Sequence, residues 1–319
     1  MEGKFRWLLI VAIAPVAWGS NYYVTRNFLP ADYPLYGALF RALPAGLLLL
    51  IFVRKLPSGS WWWKALILGT LNVAAFFVLI YLASQLLPSS IAATIMATSP
   101  LVMMGLAWLL LAERPMVLQC VGAVFGVAGV ALLLGTASNG VSTPGVLASV
   151  AAMLLSSCGY VLSKKWGAEL EILTLTSWQL VAGGLLLIPV AIGFEGAPPA
   201  LTMPSLLGFG YVTVIATAVA FVTWFAGLRH LGFGSAGLLG LLNPVTGVFL
   251  GVVLAGELLN GQQVGGLGMV FFGILIGQPL LTQRFRRAKG LPIGGTTPGQ
   301  FGAPGQARTA REDRGATIR

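Results

Sequence analysis

Residues 100–122 of this 319-residue chain recur at 244–266. Pro100, Leu111-Ala112-Glu113, Gln119 and Gly122 align with Pro244, Ala255-Gly256-Glu257, Gln263 and Gly266, every pair offset by 144. The first two apolar segments repeat as well, at an offset of 138: Tyr22 with Tyr160, Arg26 with Lys164, Phe40-Arg41 with Trp178-Gln179, and Gly46 with Gly184. The difference of six residues falls between the seventh and eighth apolar segments, where Glu195-Gly196-Ala197-Pro198-Pro199 reads as an outer loop. Each copy holds five apolar segments. An odd number of bilayer crossings makes the second copy start on the opposite face, so the copies are expected to be inverted.

A crossing helix needs roughly 20 apolar residues. Ten segments qualify: Leu8–Val24, Leu35–Val53, Ala65–Leu86, Ile91–Leu111, Val117–Leu134, Val146–Leu162, Leu173–Ile192, Leu206–Leu228, Ala236–Leu254 and Val264–Leu281. Composition agrees, with 57% hydrophobic and 9% charged residues, against about 25% charged in a soluble domain. The expected fold is an all-α membrane protein of ten transmembrane helices in two inverted five-helix repeats. The repeats span 1–136 and 144–282, followed by a basic tail at 283–319.

That tail carries eight of the 19 basic residues and two acids, which accounts for +6 of the net +10. Rich in Gly, Pro and Thr, it reads as disordered and as an anchor against anionic headgroups, not as a nucleic-acid module. With the N-terminus inside, cytoplasmic segments hold Lys4, Arg6, Arg54, Lys55, Lys64, Arg114, Lys164, Lys165, Arg229 and the tail, whereas outer segments hold Arg26 alone. The positive-inside rule then places both termini in the cytoplasm. Lys4 and Arg6 precede an apolar run without a small-residue cleavage site, so the run reads as an uncleaved first helix.

Pro100 and Pro244 fall near the middle of the fourth and ninth segments. Proline removes a backbone donor and breaks a helix. Paired breakers in two halves point to a binding region, either as gating breaks or as packing kinks. Glu113 and Glu257 follow these segments and read as caps for the next helices. Arg41 is the one clear intramembrane charge. It serves either a substrate carboxylate or structural carbonyls at helix breaks, and Gln179 at the matching place favours the structural role. Candidate substrate-binding residues are Trp18, Asn21, Tyr22, Tyr81, Thr94, Ser99, Tyr160, Trp224 and Asn243, an aromatic wall with a few polar groups. Interfacial anchoring competes as an explanation for each aromatic.

None of the nine acidic residues lies mid-membrane, and His230 is the single histidine. Ion coupling through a buried carboxylate is therefore not expected. No nucleophile–histidine pair, metal cluster or cofactor motif is present, so no catalytic role, metal or cofactor is assigned. The string Gly232-Phe-Gly234-Ser-Ala-Gly237 lacks the preceding strand that a dinucleotide site requires. Cys120 and Cys158 give no disulfide framework. Gly122-x-x-x-Gly126 and Gly273-x-x-x-Gly277 suit close packing inside one bundle better than a dimer face.

Ala17-Trp18-Gly19-Ser20-Asn21, Phe40-Arg41 and the doubled Pro…Glu…Gln…Gly pattern resemble the EamA family of the drug/metabolite transporter superfamily over about residues 5–282. The aromatic-rich first half is similar to the YddG-type exporters of aromatic and other amino acids. This resemblance implies a multi-pass bacterial inner-membrane carrier working by alternating access, as a monomer or weak homodimer, with the lipid bilayer as its surroundings. Its expected substrates are small amphipathic metabolites, foremost amino acids moved outward. Export of drugs, carriage of nucleosides or sugars, and lipid handling remain open alternatives.

Overall fold

The computed structural model describes residues 2–30, 32–86, 95–134, 142–255 and 260–278. Thr94, Glu257 and the tail from 283 lie outside these, as do the side chains of Tyr22 and Arg26. Every regular element among the described residues is helical. In chain order they are α1 (Glu2–Phe28), α2 (Pro34–Val53), α3 (Trp61–Gly69), a π turn at Thr70–Ala74, α4 (Ala75–Leu86), α5 (Ser99–Leu111), α6 (Val117–Leu134), α7 (Thr143–Trp166) and α8 (Ile172–Glu195). The second half continues with α9 (Met203–Thr213), a π turn at Val214–Val219, α10 (Ala220–Leu231), α11 (Phe233–Leu239), α12 (Leu242–Ala255) and α13 (Gly261–Ile276).

Among the described residues, six stretches are long and apolar enough to cross a membrane: Phe5–Thr25, Pro34–Val53, Trp61–Ala83, Thr143–Trp166, Ile172–Glu195 and Met203–Leu231. Ile95–Leu111, Val117–Leu132 and Gly261–Ile276 are shorter apolar helices. Helices suit a bilayer because they satisfy their own backbone groups. The polarity is arranged accordingly. Leu109 is 79% and Phe194 85% exposed, while the polar side chains of Asn72 and Gln179 are fully buried. A fold meant for water would not turn so many large apolar residues outward.

The closest packing is between α2 and α8 and between α6 and α13. Small residues permit it. A Cβ added at Gly46 would sit 2.6 Å from the Val181 backbone nitrogen, and one added at Gly184 would sit 2.7 Å from Leu43 Cβ. Gly122 likewise abuts the Gly273 carbonyl, and Gly273 the Gly122 carbonyl. The two GxxxG strings therefore face each other within one bundle, as small-residue contacts between membrane helices do. α4 packs on α7 and α10 on α1, while α5 packs on α7 and α12 on α1. Each packed pair unites segments from both sequence halves.

Three expectations need correction. The ninth segment is not one helix: it divides at Gly240-Leu241 into α11 and α12. Pro100 and Pro244 are not mid-helix. Pro100 occupies the first turn of α5, after a turn at Thr98, and Pro244 the first turn of α12. There the missing N–H costs nothing, because first-turn donors have no intrahelical partner. Finally, Glu113 does not cap the helix that follows it. Its Oε1 accepts from Phe233 N, at the start of α11, and its Oε2 pairs with Lys164 at 2.8 Å. The start of α6 is instead served by Gln119, whose Oε1 accepts from Met116 N at 3.0 Å. Gln263 does the same for Asn260 N at 2.9 Å, within a capping box on α13. The repeated glutamine is thus a repeated helix cap.

The GxGxxG string also has a packing explanation. Gly232, at φ +79°, reverses the chain between α10 and α11 in a conformation that side chains avoid. Gly234 lies against the Gln119 amide and Gly237 against Pro100.

Candidate functional site

Among the described residues, two π turns interrupt otherwise regular helices, at Thr70–Ala74 and Val214–Val219, and their first residues are 144 apart. A π turn widens the helix and re-aims its carbonyls, and such turns concentrate at functional sites. The Ala216 carbonyl accepts from Trp18 Nε1 at 3.1 Å and from Arg41 Nη2 at 3.3 Å. Arg41 Nε also donates to Thr217 Oγ1 at 3.1 Å. The guanidinium stands 4.3 Å from the Phe77 ring centre, a cation–π contact in a buried setting. One residue each from α1, α2 and α4 thus converges on a single turn of the α9–α10 helix.

Aromatic rings extend from that point. Trp18 packs on Trp224 at 5.3 Å and on Phe221 at 5.8 Å between ring centres. Trp224 meets Tyr160 at 5.8 Å, and Phe77 meets Phe221 at 6.2 Å. Phe225 closes the group against Tyr160 and Phe221. These distances suit edge-to-face or tilted aromatic pairs. Trp224 is 2% exposed, so the cluster is internal and not part of an interfacial belt.

Trp18, Tyr160, Trp224 and Arg41 therefore come together. Asn243 joins through its backbone, its carbonyl lying against Gly19 beside Trp18, and the Trp224 ring stands 3.6 Å from a Cβ added at Gly240, in the α11–α12 break. Tyr81 lies against Gly37, one turn before Arg41. Asn21 is one turn beyond Trp18, with a buried Oδ1. Ser99 and Pro100 start α5, where Pro100 faces Gly237 of α11 and not the rings. Tyr22 and Thr94 cannot be placed, lying outside the described side chains.

Phe77, Phe221 and Phe225 belong to the cluster without having been singled out as binding residues. A signal existed: Phe77 and Tyr81 align with Phe221 and Phe225 at the offset of 144. The π turns had no such signal, since no residue type marks them.

The other π turn has different company. Asn72 Nδ2 donates to Gln179 Oε1 at 2.8 Å and to Ser163 Oγ at 3.1 Å. Gly159 lies against the Asn72 amide, and Gly69 and Gly183 bring the α3 and α8 backbones together. At the end where α5, α7 and α10 finish, Arg229 Nη2 donates to the Gly167 carbonyl and Trp7 stacks on His230 at 3.7 Å. Together with the Glu113–Lys164 pair these contacts tie α1, α5, α7 and α10 to one another at that end. At the opposite end the Glu195 carboxylate accepts from Leu35 N and Tyr36 N, capping α2.

The chain is 37% identical to Protein PecM of Dickeya dadantii (strain 3937), over 87% of this chain and 94% of that protein. It is 29% identical to the Uncharacterized inner membrane transporter YedA of Escherichia coli (strain K12), over 82% of this chain and 87% of the relative. With the Probable amino-acid metabolite efflux pump of Salmonella typhimurium it shares 26% identity, over 86% of this chain and 95% of that one. A solved crystal structure superposes with a TM-score of 0.74 at 20% identity, covering 88% of this chain and 98% of the other, a likeness of fold. The sequence profile of the EamA-like transporter family matches residues 5–135 and again 143–276, the two stretches between which the aromatic cluster is shared, and the chain belongs to that family.

Proposed function

We propose that this transporter exports small amphipathic metabolites, foremost amino acids with aromatic side chains, by alternating access around the Trp18–Trp224–Tyr160 cluster. The observation that carries the reading is the convergence of Trp18 and Arg41 on the Ala216 carbonyl, beside rings drawn from both sequence halves. Flat rings with a few fixed polar groups make a pocket for a small molecule with an apolar body. The printed name of the Salmonella relative supports the substrate class.

The architecture proposed is ten crossings in two inverted repeats. The packing supports it: α2 with α8, α6 with α13, and the pairs α4–α7 and α10–α1 interchange under the 138 and 144 offsets. The distribution of lysine and arginine supports cytoplasmic termini in an inner membrane. Sequence places no carboxylate mid-membrane, so the proposed mechanism draws no energy from one. The α5 and α11–α12 breaks, at Thr98 and at Gly240-Leu241, are the proposed bending points.

Reconstitution into liposomes with a panel of radiolabelled amino acids tests this reading. Counterflow of aromatic amino acids above empty vesicles, with or without a pH gradient, is expected. Absence of flux for every amino acid would remove the substrate class, and a strict need for the gradient would remove the uncoupled mechanism.

A further inference from the structure

Trp224 presents one polar atom, its indole N–H, and that atom is buried without a hydrogen-bond partner among the described residues. A buried donor left unpaired is costly, and a site that binds a ligand is one place where such a cost is kept. Asn21 Oδ1, a buried acceptor, is likewise without a hydrogen-bond partner. It lies three residues beyond Trp18, on the same side of α1. The Trp18 ring, to which Trp224 is packed, is itself held in place by the Ala216 carbonyl, which also holds Arg41. The cluster therefore combines a fixed cation, an indole donor, an amide acceptor and several flat apolar faces.

Charge decides what this combination selects. In a medium of low dielectric constant the Arg41 charge acts over the whole cluster. The ten apolar segments contain no carboxylate to meet an ammonium group. An ammonium group can rest against aromatic faces and an amide oxygen, so it is accommodated but not demanded. A carboxylate gains both a donor and a positive potential.

We propose that the Val214–Val219 π turn builds a carboxylate-recognition unit. It fixes Arg41 and Trp18 on one carbonyl, and the Trp224 N–H receives an oxygen of a substrate whose flat body packs against this aromatic cluster once the rings part in the transport cycle. The inference rests on the transporter reading of this site and narrows its substrates to aromatic carboxylates, with the amine optional. The matched π turn at Thr70–Ala74 also holds buried polar atoms without a hydrogen-bond partner, Asn72 Oδ1 and Gln179 Nε2, but its side chains are uncharged: Asn72 meets Gln179 and Ser163. Recognition of the anion therefore belongs to one half of the repeat.

The test titrates the full-length protein in detergent with four ligands sharing one ring system: L-tryptophan, indole-3-acetate, tryptamine and indole-3-ethanol. Binding is read as thermal stabilisation and transport as counterflow in proteoliposomes. The two carboxylates are expected to bind at least about tenfold more tightly than the two analogues without one, a ratio that a single charge-assisted hydrogen bond supplies. Arg41→Gln should abolish that preference and Arg41→Lys should restore part of it. Trp224→Phe should weaken the carboxylates about tenfold more than it weakens tryptamine and indole-3-ethanol. Equal binding of all four ligands to the wild type, or no carboxylate binding, overturns the proposal. Equal weakening of all four by Trp224→Phe does so too, because it marks a packing role. If that variant fails to fold, the Arg41 series decides alone. Should indole-3-acetate move while L-tryptophan does not, the amino-acid reading falls and carboxylate recognition stands.

Discussion

The π turn at 214–219 and the π turn at 70–74 occupy matched places in the two halves, and both receive a polar side chain from the α2–α8 pair. On the first, Arg41 of α2 meets Ala216 and Thr217 in company with Trp18. On the second, Gln179 of α8 meets Asn72 in company with Ser163. One junction is charged and adjoins the cluster of six aromatic side chains. The other is neutral, glycine-lined and enclosed by backbone. Duplication supplied two equivalent junctions. Their divergence separates recognition of the ligand from cohesion of the bundle, and each side of that division can be broken independently.

The neutral junction should be the more sensitive to bulk. Gly183→Val would drive a side chain into the Gly69 carbonyl and Val73, where backbone stands 2.6 Å from an added Cβ. Overpacking of this kind costs about 1–3 kcal/mol or more, and loss of most folded protein in size-exclusion chromatography is expected. Asn72→Leu comes next. It removes two buried hydrogen bonds and strands the Gln179 oxygen, at about 1–3 kcal/mol. The unfolding temperature in detergent should fall by about 5 °C. Trp18→Phe, at the charged junction, should lower transport several-fold while shifting unfolding by only about 2 °C, since one neutral hydrogen bond contributes about 1 kcal/mol. The smallest effect belongs to neither junction. Lys164→Met, which breaks the partly exposed pair with Glu113, should cost about 1 kcal/mol or less, visible in the salt dependence of unfolding.

The distinction between the junctions was half legible in the sequence. The mismatch of Arg41 with Gln179 marks where the repeats diverge, and each of the two side chains meets a π turn. What these side chains touch was hidden. A π turn carries no composition signal, and the offset of 144 could relate Asn72 to Ala216 without revealing that both lie in one. The division of the ninth segment at Gly240-Leu241 is hidden for a related reason: apolar residues run through it without interruption, and the break shows only in the backbone. Glu113 was read as a local cap because local partners are what sequence can supply. Its true partners, Phe233 and Lys164, are 120 and 51 residues away. Gln119 and Gln263 show the opposite case, in which a short-range cap leaves a repeated letter at a fixed spacing.

Arg41→Gln compared directly with Asn72→Leu tests the division most directly, with counterflow of L-tryptophan and unfolding temperature measured on the same preparations. Arg41→Gln makes the charged junction resemble its neutral counterpart. It should lose about tenfold or more of transport per folded molecule, beyond any lowering of its unfolding temperature from the two hydrogen bonds it gives the π turn. Asn72→Leu should unfold earlier yet, below its transition, retain most of its transport per folded molecule. Full transport by Arg41→Gln, or a stable Asn72→Leu protein that transports nothing, would contradict the assignment of recognition to one π turn and cohesion to the other.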